Sequence, residues 1–328
     1  MVVTNGAQGR ALPATRQPGA LSSVWRARYV YLALVPTFLL LAIFNYYPFL
    51  SAFYTSFAQS DGINPPTWVG LQNFQQLLSD QTFLHSFVNI VILTAAGIVQ
   101  AIVPALIVAA VIFHLWAERW RYFYRVLLII PVVVPGIVGI LLWRSFLAPA
   151  TSNSMDVGVV NILLNKVFGL HALTQNGQRP WLGDFSAVIP AIIFVGFPWV
   201  SSINVLIFLA GWLSINKELF DAAAIDGVTW WSRLWRIELP LIFGQIRLVL
   251  ILAVIGGLQN YTNILILTQG GPGTASMVPG LYLYNQAFQY FNFGYACAIG
   301  VILFVIILAF TILNLRYARS SVEYDASS

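Results

Sequence analysis

Six apolar runs, at about 29–57, 86–113, 124–147, 186–211, 240–267 and 292–315, set the terms on which this chain can fold. Each reaches the roughly 20 helical residues that a bilayer core requires. Backbone groups in lipid must be satisfied within their own segment, and the runs are too long for barrel strands, so they are read as helices. The sequence therefore predicts an all-α integral membrane protein with six transmembrane helices. Only 8% of the 328 residues are charged, about a third of the ~25% usual in soluble domains. The first run is too long for the apolar core of a secretory signal and is read as an uncleaved span. The resulting division is a polar tail over 1–28, a transmembrane domain over 29–316 and a second tail over 317–328.

Basic residues orient the spans. Arg10, Arg16, Arg26, Arg28, Arg119, Arg121, Arg125, Lys217, Arg233, Arg236, Arg247, Arg316 and Arg319 fall on one side, and Arg144, Lys166 and Arg179 on the other. Thirteen against three places both termini and the 212–239 loop in the cytoplasm by the positive-inside rule. Trp68, Trp181, Tyr282, Tyr284 and Tyr290 in the outer loops suit an interfacial belt or an external partner. Pro104, Pro131, Pro135, Pro190 and Pro198 kink or break their spans.

Several function classes lose support. The net charge of +5 reports topology and not nucleic-acid binding. One cysteine, Cys297, allows no internal disulfide, and His85, His114 and His171 are too scattered for a metal or catalytic cluster. The spans carry almost no ionisable residues of the kind a proton or sodium relay uses. Arg144 and Arg247 lie near span ends, where they can snorkel. No span has a row of arginines, and no potassium-type filter occurs. Gly270-Gly271-Pro272-Gly273 lacks the Lys-Ser/Thr of a phosphate loop and lies on the outer side. If transport by this chain is active, its fuel is hydrolysed on another subunit and the force is delivered from the cytoplasm through the 212–239 loop.

That loop suits the task. Asn216 can cap a helix, and Glu218 and Asp221 favour its first turns. Phe220, Ala223, Ala224 and Gly227 recur at helical spacing and would form one tight face. Gly227 permits a reversal, Trp230, Trp231 and Trp235 would anchor the return along the membrane surface, and Pro240 fits the first turn of the next span.

Asp221-Ala222-Ala223-x-x-Asp226-Gly227, nine residues, then Ile237-x-Leu239-Pro240 resembles the EAA loop of bacterial ABC-importer permeases, with Asp for the usual first Glu. Val69-Gly70-Leu71-Gln72-Asn73-Phe74, the Pro131–Pro135 stretch, Leu142-Trp143-Arg144, Pro180-Trp181-Leu182-Gly183-Asp184, Leu267-Thr268-Gln269-Gly270-Gly271-Pro272 and Phe291-x-Phe293-Gly294-Tyr295-Ala296 resemble the carbohydrate-uptake branch, in family order over about 30–320. The Gly-Gly-Pro loop is similar to that of the first-type subunit, in the six-span form of the glycerol-phosphate and oligosaccharide members. The resemblance implies a second permease, two cytoplasmic ATPase subunits, an external solute-binding protein, and alternating access in a bacterial inner membrane. It implies ATPase coupling through Glu218, Asp221, Ala222, Ala223, Asp226, Gly227, Ile237, Leu239 and Pro240. It also points to Gln259, Asn260, Tyr261 and Asn263 as sugar contacts, with Gly256 and Gly257 leaving room and Asn204 and Trp199 in secondary places. Interhelical bonding is the competing role for each of these side chains. The alternative functions are a stand-alone carrier or channel for a polar solute and, further behind, a membrane-embedded enzyme.

Overall fold

The computed structural model describes residues 28–148, 158–170 and 178–317. The polar tails, with Arg10, Arg16, Arg26 and Arg319, lie outside the described residues, as does His171. The chain divides into two units, 1–52 and 53–328.

The first unit holds α1 (Arg28–Leu41), a π-helical stretch over Ala42–Tyr46, and the start of α2 (Tyr47–Thr55). Pro48 has no N–H to offer the carbonyl four residues back. The turn before it widens, and the Tyr47 N–H bonds the Ala42 carbonyl. The apolar helix Leu32–Thr55 is 24 residues long, enough to cross a bilayer.

In the second unit a short antiparallel pair, β1 (Ala58–Gln59) and β2 (Thr67–Trp68), precedes α3 (Gln72–Ser79). Asn73 Nδ2 donates to the carbonyls of Ser56 and Ala58, at 2.9 and 3.0 Å, and ties α3 to β1. The centre is α4 (Gln81–Phe113), 33 residues long. Asp80 starts it by accepting from the N–H groups of Thr82 and Phe83. Pro104 does not break this helix. One face of α4 buries Ala105, Ala109 and Ile112, while Val99, Val103, Ile107 and Val111 stay exposed at helical spacing. An exposed apolar stripe of this kind suits lipid and not water.

Three of the predicted spans are interrupted. α5 (Glu118–Ile129) continues through a 3₁₀ turn to Val133 and meets α6 (Gly136–Leu147) at 81°, with Pro135 in extended conformation between them. After the short α7 (Val159–Ile162), α8 (Val188–Phe194) stops seven residues before α9 (Ser202–Leu213). α10 (Lys217–Ile225), α11 (Trp230–Arg233), a π stretch over Leu234–Glu238 and α12 (Leu239–Leu241) form the charged interruption. α13 (Phe243–Gln259) and α14 (Thr262–Leu267) are separated at Asn260. The outer stretch read as loop contains α15 (Pro279–Phe288), and α16 (Phe293–Tyr317) follows.

Packing radiates from α4. Ala105, Ala109 and Ile112 meet Val205, Phe208, Leu209 and Trp212 of α9 and Val249 of α13. Toward the N-terminal half of α4, Ile90 packs with Val254, Leu258, Ile264 and Leu281. A third cluster joins Leu77 and Phe83 to Tyr295, Ala298 and Ile299 of α16. Burial of such side chains is worth about 1.5–3 kcal/mol each in water. Between helices in lipid the gain comes instead from close packing and hydrogen bonds. Arg144 and Arg247 do not simply snorkel. Arg144 donates to the carbonyl of Ile266 at 3.2 Å, and Arg247 to the side chain and carbonyl of Asn314 at 2.8 and 3.0 Å, because span ends supply unpaired carbonyls that guanidinium groups satisfy.

Candidate functional site: the charged interhelical loop and an asparagine-lined cavity

α10 begins where Asn216 Oδ1 accepts from the Glu218 N–H at 3.1 Å. It ends in a left-handed Gly227 (φ +68°), with Val228 N–H bonding the Ala223 carbonyl and Gly227 N–H bonding that of Ala224. Both bonds satisfy carbonyls that the helix end would leave open. Phe220 and Ala223 are the residues of α10 that turn inward, with Phe220 5.7 Å from the ring of Phe113. Ala224 and Gly227 are exposed, so the expected four-residue face is half that size: Gly227 has already left the helix, and only Phe220 and Ala223 meet the spans. Glu218, Asp221, Ala222, Ile225 and Asp226 stand exposed together, Ile225 at 86%. Leu219 is also exposed. This leaves a small-residue, acidic and partly apolar surface to dock against.

The return segment exposes Trp230, Trp231 and Trp235. Ile237 and Leu239 are half-buried, and Pro240 is exposed. Pro240 occupies α12, a separate turn set at 66° to α13, and not the first turn of the span itself.

Glu238, the unspecified position of Ile237-x-Leu239-Pro240, is wholly buried. Its Oε2 accepts from Trp212 Nε1 at 2.8 Å, and its Oε1 from Arg233 Nε at 2.9 Å and His114 Nε2 at 3.3 Å. Burial alone would raise the Glu238 carboxyl, but the bonds from His114, Trp212 and Arg233 hold it below the usual glutamate range. The same Glu238 contact raises the His114 imidazole. Sequence reading set His114 aside among three scattered histidines and passed over Glu238, since a lone glutamate and a lone histidine 124 positions apart carry no joint signal.

A cavity of about 140 Å³ lies where the broken helices meet α4. Asn260 and Asn263 line it with Gly97, Gln100 and Val195. Gln100 Nε2 bonds the Ile193 carbonyl at 2.6 Å, which holds the loose end of α8. Asn260 Oδ1 accepts from the Asn263 N–H at 3.4 Å. The other expected pathway residues are placed differently. Gln259 is exposed, and Tyr261 stacks 6.1 Å from Tyr284 in the packed core. Asn204 donates to the Ala101 carbonyl of α4 at 3.0 Å. Trp199, at φ +58°, bonds the Val195 carbonyl and groups with Phe194 and Phe197. Gly256 faces open space, but Thr94 fills the room beside Gly257, whose absent Cβ would lie 2.8 Å from Thr94 Cγ2.

At the N-terminal end of α4, Asp80 accepts from the hydroxyls of Tyr282 and Tyr295, at 2.6 and 2.5 Å, which fastens α15 and α16 to the start of the central helix. Burial works against the Asp80 charge, yet the two hydroxyls and the helix N–H groups keep its carboxyl below the usual range.

Residues 101–320 match the family described as binding-protein-dependent transport system inner membrane component. Over 295 residues the chain is 31% identical to the probable ABC transporter permease protein YurN of Bacillus subtilis, covering 89% of this chain and 97% of that one. It is 28% identical to the multiple sugar-binding transport system permease protein MsmF of Streptococcus mutans, over 87% and 93% of the two chains. The fold matches, at a TM-score of 0.74 and 22% identity, a chain of the bacterial alginate ABC transporter in complex with alginate pentasaccharide-bound periplasmic protein, covering 92% of this chain and 99% of that one. Six long apolar segments, a charged loop capped into a short helix, and a family match over two thirds of the length converge: this chain belongs to the inner-membrane components of binding-protein-dependent transport systems.

Proposed function

We propose that this chain is the first-type permease of an ATP-driven importer of a sugar or sugar derivative, forming half of the translocation pathway. The observation that carries the reading is α10, which is fixed by Phe220 and Ala223 and offers Glu218, Asp221, Ala222 and Asp226 outward. An ATPase subunit grips that surface from the cytoplasm, a second permease completes the pathway, and two ATPase copies bind ATP and magnesium. An external binding protein delivers the solute, and both termini are cytoplasmic. The names of MsmF and of the alginate transporter support a carbohydrate cargo. Asn260 and Asn263 offer it amide donors and acceptors beside Gln100.

The chain's own part is mechanical. A ligand shifts a two-state equilibrium only by its differential affinity for the two states, so nucleotide-driven closure of the ATPases reaches the spans through α10. The test compares the full complex in proteoliposomes with the isolated chain. MgATP-dependent uptake that requires the binding protein, and that falls at least about tenfold in Ala222→Arg (~1.4 kcal/mol of docking lost), is expected. Nucleotide-independent transport by the isolated chain would establish the stand-alone carrier or channel instead.

A further inference from the structure

Glu238 sits where the loop returns to the spans, and its partners come from both. Trp212 ends α9, His114 caps the end of α4, and Arg233 ends α11. Around this node the rings are continuous: Phe113 lies 5.7 Å from Phe220 and 6.3 Å from Trp212, His114 lies 6.0 Å from Trp230, and the Arg233 guanidinium stands 5.5 Å over Phe220. Phe220 of α10 therefore rests on the same wall that the carboxylate pins.

The protonation state follows from the geometry. His114 Nδ1 is 2.8 Å from the Ala110 carbonyl, and Nε2 faces Glu238 Oε1. Both neighbours are acceptors, so both ring nitrogens donate and the imidazolium form fits the site. The charged groups facing Glu238 are His114 and Arg233; α9 contributes the neutral Trp212 indole and α10 only Phe220. A buried carboxylate left without its donors is strongly destabilising, so the node holds one arrangement or opens.

We propose that Glu238 is the positioning residue that locks α10 to α4 and α9, so that the three helices move as one body when the ATPase moves α10. This rests on the reading of α10 as the ATPase contact. The lock is fully set below the ordinary histidine range and weakens as pH rises through the raised His114 value.

The experiment uses the full chain assembled with its partner subunits, in a Cys297→Ser background, with spin labels at Lys217→Cys on α10 and Val99→Cys on α4. Both positions are exposed. Distances are measured before and after trapping with MgATP and vanadate. The unaltered node gives one narrow distance that trapping leaves in place, whereas Glu238→Gln shifts or splits it by several ångströms while ATP hydrolysis continues. Raising the inner pH from about 6 to about 8.5 reproduces the split in the unaltered node. In His114→Gln, which keeps Arg233 and Trp212 on the carboxylate, the distance no longer responds to pH; this variant decides the matter should Glu238→Gln fail to insert. An unchanged distance in Glu238→Gln, with or without a reduced amount of complex, or a pH response that persists in His114→Gln, overturns the positioning role. Failure of the unaltered chain to assemble with any ATPase overturns the functional reading instead.

Discussion

Gly227 and Gly294 show how two glycines in recognisable motifs do different work. Gly227 takes φ +68° at the end of α10, and nothing lies within 4 Å of the place a Cβ would occupy. Gly227→Ala therefore costs only the left-handed strain of about 1–2 kcal/mol. Gly294 has an ordinary φ, but an added Cβ would run into the Ala58 carbonyl and meet Asn73 Nδ2 at 3.3 Å. The clash is with backbone, in the joint that ties α3, β1 and α16 together. Thermal unfolding of the purified chain in detergent should show Gly294→Ala well below Gly227→Ala in midpoint. Equal midpoints would mean that the β1–α16 contact is not closely held. The motif letters mark both glycines, but only the packed structure says which one lacks room.

At the scale of elements, the helix breaks decide what the protein can present. Pro135 is extended between α5 and α6, and Asn260 separates α13 from α14 while its side chain accepts from the start of α14. Non-helical backbone at such depth is tolerated where it is buried or lines a cavity, and the Asn260 break lines one. The proline positions were legible in sequence; the Asn260 break was not, because no proline marks it and the polar stretch Gln259–Asn263 reads equally as a patch within one continuous span. α10 was legible in its cap, its acidic first turn and its terminal glycine, since all three act within a few residues. Ile225 was missed, because exposure of one apolar residue depends on which way the helix faces. Ile225→Lys leaves the fold intact, within about 0.5 kcal/mol as for other exposed positions. It should still remove most of the co-purifying ATPase. Full retention of the ATPase by Ile225→Lys would place its footprint on another part of the loop.

For the molecule as a whole, the distribution of charge supports the proposed orientation and the long helices are long enough for passage. Leu32–Thr55, Gln81–Phe113 and Phe293–Asn314 can cross a bilayer individually, and three bent pairs bring the number to six if each is one span. The proposed topology puts the β1–β2 turn outside and α10 inside. Membrane-impermeant maleimide applied to intact cells, in a Cys297→Ser background, should label Asn64→Cys and spare Lys217→Cys until the membrane is opened. Labelling of both from outside would reverse the assignment that thirteen basic residues against three support.

Hydropathy and charge, being sums over neighbours in the chain, were enough to establish a helical membrane protein and its charged loop, and the motif spacing was enough to point to the family. They could not bring Glu238 to His114 and Trp212, Asp80 to Tyr282 and Tyr295, or Thr94 to Gly257, because those partners are remote in sequence and meet only when α4 packs against its neighbours. The same limit separated Asn260 and Asn263, which line the cavity, from Tyr261 and Asn204, whose types look equally suited to a sugar but whose positions serve the packing between helices. Local physics writes periodicity into a sequence; which side chains face a shared space is fixed by helix rotation and crossing, and that is decided in three dimensions.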